Sequence, residues 1–193
     1  MNSRWRLIAL LLFGSGLSAL VYQTAWQRAF RLTFGASTSA SAAVLAVFMG
    51  GLGIGGIVLG RRIEKSSRPL AVYGNLELAI ALLAAVSLLL DAGVHRLYLA
   101  LGGSTSLGPI GATLVRLFGT TLVIGPATFL MGGTLPAAAR AIVGEDDAQR
   151  SRLGLLYALN TTGAVVGSLV GPLFLFGVLG TRLTLWAAVL VNL

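Results

Sequence analysis

The sequence predicts an all-α polytopic membrane bundle of about six spans. Three observations predict it. Hydrophobic residues make up 56% of the 193 and charged residues only 10%, against about 25% charged in an ordinary globular domain. Mean hydropathy is +0.89, and the apolar residues gather in runs near the length of about 20 that crosses a bilayer. Glycine is abundant, at 26 residues, which suits helices packed closely in lipid. Five prolines are too few for a disordered low-complexity chain. Residues 1–193 therefore read as one transmembrane module.

The first span, 7–30, follows Arg4 and Arg6 and keeps a helical pattern through Gln23, Trp26 and Gln27. No small-residue cleavage site interrupts it, so a retained span is expected rather than a cleaved leader. The second covers 36–60. The third, 70–90, is opened by Pro69, a good first-turn residue. Residues 94–101 carry His95, Arg96 and Tyr98; they are too few to span and are expected at the membrane interface. The fourth run, 109–143, is longer than a bilayer needs at about 1.5 Å per residue. It is expected to tilt, to kink at Pro126 or Pro136, or to project into water. The fifth covers 153–179. The sixth, 184–193, rises only about 15 Å, half of a hydrocarbon core of about 30 Å. It is read as incomplete, the front part of a longer chain.

Basic residues flank the spans and set the orientation. With the N-terminus in the cytoplasm, the inner segments hold Arg4, Arg6, Arg61, Arg62, Lys65, Arg68, Arg140, Arg150 and Arg152, and the outer ones Arg28, Arg31, Arg96 and Arg182. The N-terminus is thus expected inside, in a bacterial inner membrane. The net charge of +8 has this origin, and no basic–aromatic patch points to nucleic acid. Cysteine is absent and histidine single. No disulfide, metal or cofactor site is expected, and no catalytic constellation appears.

Glycines recur four apart. Gly51 and Gly55, then Gly56 and Gly60, do so on the second span; Gly163, Gly167 and Gly171 do so on the fifth. Such spacing clears one helix stripe for a neighbouring backbone. The stripes serve either simple helix packing or a sliding surface. Ionisable groups inside spans are costly and point to function. Glu77 lies about 10 Å into the third span, and Arg116 a similar distance into the fourth from the other side. They either pair near mid-membrane or face separate polar surroundings. Gln23, Gln27 and Arg28 on the first helix, and Tyr157, Asn160, Thr161 and Thr162 on the fifth, either line a polar cavity or bond helix to helix.

Five ordered segments carry a family resemblance. They are the run Gly16 to Arg28; Phe48-Met-Gly-Gly-Leu-Gly-Ile-Gly-Gly56 with Gly60-Arg61; Arg68-Pro-Leu-Ala-Val-Tyr-Gly-Asn-Leu-Glu-Leu78; Met131-Gly-Gly-Thr-Leu-Pro136; and the run Leu153 to Gly167. Together they resemble the transmembrane part of the membrane-bound spermidine-synthase-like family, the fused major facilitator/spermidine synthase proteins. The charged stretch from Gly60 to Pro69 is similar to the facilitator loop between the second and third helices, although Arg61 here follows Gly60 where that pattern has an acid, and Glu64 is the nearest one. The resemblance implies a fold like one half of a major facilitator transporter. It also implies a soluble aminopropyltransferase-like domain that these residues do not match, so no enzymatic activity is assigned to them. What carries over is a membrane module that moves or channels a cationic amine, with Glu77, Gln23, Gln27, Tyr157 and Asn160 as candidate polyamine-binding residues. The alternative is a structural or accessory subunit, packed as a homo-oligomer or against other membrane subunits.

Overall fold

The computed structural model describes residues 3–142 and 148–193. The side chains of Arg4, Arg150 and Arg152, counted above for orientation, lie outside what it describes. Every secondary-structure element in it is helical: α1 (Ser3–Phe34), α2 (Thr38–Ile63), α3 (Pro69–Ala100), α4 (Gly103–Ile142), α5 (Ala148–Val170), a π-turn (Gly171–Leu175), α6 (Phe176–Val178) and α7 (Gly180–Asn192). Five helical stretches are long and apolar enough to cross a membrane.

Local chemistry sets the ends. Ser37 caps α2, its hydroxyl accepting from the Ala40 N–H at 3.2 Å, which satisfies one of the orphan donors of a first turn. Pro69 sits in the first turn of α3, where its missing N–H is harmless. The π-turn contains Pro172. Proline cannot donate to the i−4 carbonyl, and a wider turn absorbs the break before the helix resumes. Gly180, at φ 69°, then turns the chain into α7, a left-handed conformation that glycine adopts without a Cβ clash.

Two boundaries differ from the sequence expectation. Residues 94–100 continue α3 rather than forming a separate interfacial segment. They pack along the first half of α4: Val94 lies against Gly119, and Tyr98 against Gly103. The break in α4 falls at Gly108 (φ 66°, ψ 177°), just before the expected start of the fourth run, whereas the backbone at Pro126 and Pro136 stays helical. A residue before proline avoids the helical region, and Gly108 precedes Pro109. At about 1.5 Å per residue α3 is about 48 Å long, well beyond a hydrocarbon core of about 30 Å.

α1 is the hub of the bundle. It packs along α5 and α7 and touches α2, α3 and α4. The other extensive pairings are α2 with α4 and α3 with α4. Exchanging α1, α2 and α3 for α4, α5 and α7 maps the pairing α2–α4 onto α5–α1, and α3–α4 onto α7–α1. The core is built from an i, i+4 aromatic stripe on α1: Tyr22, Trp26, Phe30 and Phe34, all buried. Tyr22 stacks on Trp26 and Phe30 on Phe34, and Tyr98 meets Phe34 edge-on. The outside stays apolar, with Ile57, Leu82, Phe118 and Val178 among many exposed side chains. Such a surface fits lipid and not water.

Candidate functional site

Glu77 stands in the third turn of α3 and is only 7% exposed. Its carboxylate is surrounded by polar groups from three helices: the hydroxyls of Ser15 on α1 and Tyr73 on α3, and the amide of Asn192 on α7. None completes a hydrogen bond to it, and both carboxylate oxygens are unpartnered. Asn192 is held in place by donating its Nδ2 to the Glu77 backbone carbonyl at 2.8 Å. The Tyr22 hydroxyl, which senses the Glu77 charge, is also buried and unpartnered, as is Ser18 Oγ. Ser15, Ser18 and Tyr22 follow i, i+3, i+7 spacing, so α1 carries three hydroxyls on one face. Among the described residues no cation is hydrogen-bonded to this buried carboxylate, and the donors around it are uncharged.

Arg116 does not pair with Glu77; of the two arrangements the sequence leaves open, each charge has its own polar surroundings. Arg116 Nη1 donates to Ser39 Oγ at 3.1 Å and its Nη2 to the Tyr98 hydroxyl at 3.3 Å. Tyr98 lies twenty-one residues beyond Glu77 on the same helix, about 30 Å along its axis. The two charges sit at opposite ends of the bundle.

The remaining candidates are dispersed. Asn160 packs through its backbone and side chain against Gly16, next along α1 from Ser15, so it borders the Glu77 region from the α5 side. Gln23 and Gln27 are half-buried, and Arg28 is exposed, its guanidinium 5.3 Å from the centroid of the Phe176 ring, a cation–π contact. Tyr157 is 61% exposed, and Thr161 and Thr162 are exposed too. None of these reaches Glu77 by a hydrogen bond. Sequence reasoning missed Ser15, Ser18, Tyr22 and Asn192. The signal for the first three was present in the hydroxyl spacing along α1; Asn192 is brought to Glu77 only by the tertiary fold.

The glycine stripes lie inside the chain. A Cβ on Gly51 would strike Thr128, and one on Gly55 the Phe129 backbone, both on α4. On α5, Gly163 faces the Phe13 carbonyl and Gly167 the Leu17 carbonyl of α1. A Cβ on Gly171 would lie 3.1 Å from Thr24 Oγ1, while one on Gly56 or Gly60 would make only ordinary contacts with α4. Gly16 on α1 and Gly132 on α4 complete these seams from the other side. At the Glu64 end an open groove of about 590 Å³ is lined by Gly60, Arg61, Glu64, Pro136, Arg140 and Leu153, among others. There Arg140 Nε donates to the Glu64 carbonyl at 3.3 Å, placing the charged stretch after α2 at the same end as the close of α4. Among the described residues no three of His, Asp and Glu come together as metal ligands. No protein-family model, no curated protein and no solved structure matches the chain.

Proposed function

We propose that the chain is a membrane module that binds a cationic amine at Glu77 and moves or channels it. One observation carries this reading: Glu77 is buried with both oxygens unpartnered, and Arg116 is engaged elsewhere. An ammonium group donates hydrogen bonds and supplies the missing charge at once. The hydroxyls of Ser15, Tyr22 and Tyr73 offer further acceptors around it. The repeated pairing of the two helix triplets supports a likeness to one half of a major facilitator, whose halves are built from inverted three-helix repeats. With the family resemblance, this favours a polyamine as substrate and a bacterial inner membrane, N-terminus inside, as its setting. The structural-subunit reading remains the alternative: Gly51, Gly55, Gly163 and Gly167 are used in contacts within the chain, while Gly50 and Gly53 on α2 stand open.

The test is spermidine binding by purified protein and by Glu77→Gln, which keeps the side-chain size and removes the charge. A charge-assisted contact contributes about 1.5–3 kcal/mol, so affinity should fall about tenfold to a hundredfold, with the helical content unchanged. Equal affinity in the two proteins would refute the reading.

A further inference from the structure

We propose that Arg116 and the first turn of α2 form a phosphate-binding site at the end of the bundle remote from Glu77, filled by a phospholipid headgroup. The argument does not depend on the amine reading. Arg116 is 8% exposed. Its partners, Ser39 Oγ and the Tyr98 hydroxyl, are both uncharged, and its Nε is buried with no partner at all. A buried carboxylate can shed its charge by taking a proton. A guanidinium cannot, because it stays protonated in proteins. A desolvated cation held only by neutral hydroxyls is uncompensated, and an anion is the remaining way to compensate it.

The second observation is what Arg116 reaches. Ser39 is the second residue of α2, a 26-residue helix. Ser37 already occupies the Ala40 N–H, but the N–H groups of Thr38 and Ser39 belong to the set that no helix can satisfy internally. A helix N-terminus carries partial positive charge and offers those donors to anions. The Ser37 and Ser39 hydroxyls lie 3.1 Å apart and widen the donor set. Two positive features thus converge on one point with no acid between them. The nearest acid toward this end, Asp91, accepts from the Thr33 hydroxyl at 3.0 Å and faces His95.

The location selects the anion. The site lies at the turn joining α1 to α2, and its Tyr98 stands about 44 Å along α3 from Pro69, close to the about 40–45 Å of a bilayer with its headgroups. That is the level of lipid phosphates, and α1 places Arg31 in its last turn at the same end.

The experiment is thermal unfolding of the purified protein in a neutral detergent, with and without phosphatidylglycerol, and separately with inorganic phosphate against chloride at equal ionic strength. Two variants accompany it. Ser39→Asp puts a carboxylate where the bound anion would sit, at an exposed position that a helix start favours; Ser39→Ala removes one donor. Phosphatidylglycerol should raise the wild-type midpoint by at least about 2–4 °C. Ser39→Asp should show a raised midpoint without lipid and lose most of the lipid response, and Ser39→Ala should respond more weakly than wild type. A response to inorganic phosphate as large as that to lipid would keep the phosphate site and assign it to a free ion rather than a headgroup. If neither additive raises the wild-type midpoint, or if wild type and Ser39→Asp respond equally, the proposal is overturned.

Discussion

Replacing Gly167 by alanine tests the closest seam in the bundle. Gly167 faces α1, and an added Cβ would lie 3.0 Å from both the carbonyl carbon and the Cα of Leu17, and nearer still to its carbonyl oxygen. Carbon atoms at rest sit about 3.5–4.0 Å apart. The obstacle is backbone, which no rotamer change can move, so α5 has to back away from α1 by about 1 Å along this turn. Overpacking of this kind costs about 1–3 kcal/mol. Against it stands the helix-propensity gain of glycine to alanine, about 1 kcal/mol. Gly154, on the same helix, has nothing within 4 Å of its virtual Cβ; Gly154→Ala collects the propensity gain alone. The two variants should therefore differ by up to about 3 kcal/mol. For a chain of this size that is a separation of about 6–12 °C in unfolding midpoint. Thermal unfolding of both in one detergent gives the answer. Coincident midpoints would mean that α1 and α5 do not meet at Gly167, and the packing argument would fail.

Two further predictions concern the other ends of the argument. A topology reporter fused after Lys65 should behave as cytoplasmic and one fused after Gly102 as external; a Lys65 fusion exported from the cytoplasm would reverse the orientation. Ser87 accepts the buried Trp26 indole N–H at 2.8 Å, so Ser87→Ala strands that donor and should lower stability by about 0.6–1.7 kcal/mol, read as a drop in unfolding midpoint. An unchanged midpoint in Ser87→Ala would show that the indole finds another acceptor and that this bond does not fix α1 against α3.

The helices were legible because charge is rare in the chain and apolar runs are long, and neither feature depends on tertiary context. Boundaries were less so. Nothing local tells that residues 94–100 continue α3; the reason is the facing turn of α4, where Gly119 admits Val94. The break at Gly108 was readable from its place before Pro109. Pro126 and Pro136 look like equal candidates in sequence, yet a membrane helix tolerates proline where its neighbours re-satisfy the freed groups. On α1 the eye falls on Gln23 and Gln27, but the inward face belongs to Tyr22, Trp26 and Phe30. Adjacent residues are turned about 100° around a helix, so the glutamines are carried to the flank. The polar site was half visible: Glu77 by its charge, the α1 hydroxyls by their spacing, and Asn192 not at all.

Glu77 and Arg116 stand apart for a reason that bears on both sites. Counting residues from opposite ends of two spans puts them at one depth only if each span is as long as the bilayer is thick. Here α3 has 32 residues and α4 has 40, and each charge falls within about the first third of its own helix, toward opposite ends of the bundle. With about 30 Å between them, even a low dielectric leaves little attraction compared with the desolvation of either group. Each must therefore be neutralised where it stands, and the chemistry of the two groups differs. Glu77 can exist uncharged by holding a proton, so its site can be empty or filled without unfolding the bundle around it. Arg116 has no uncharged form within reach, so its site calls for a resident anion. The proposed exchangeable site for a cation and the proposed standing site for an anion, at opposite ends of the bundle, rest on the same burial acting on two different side chains.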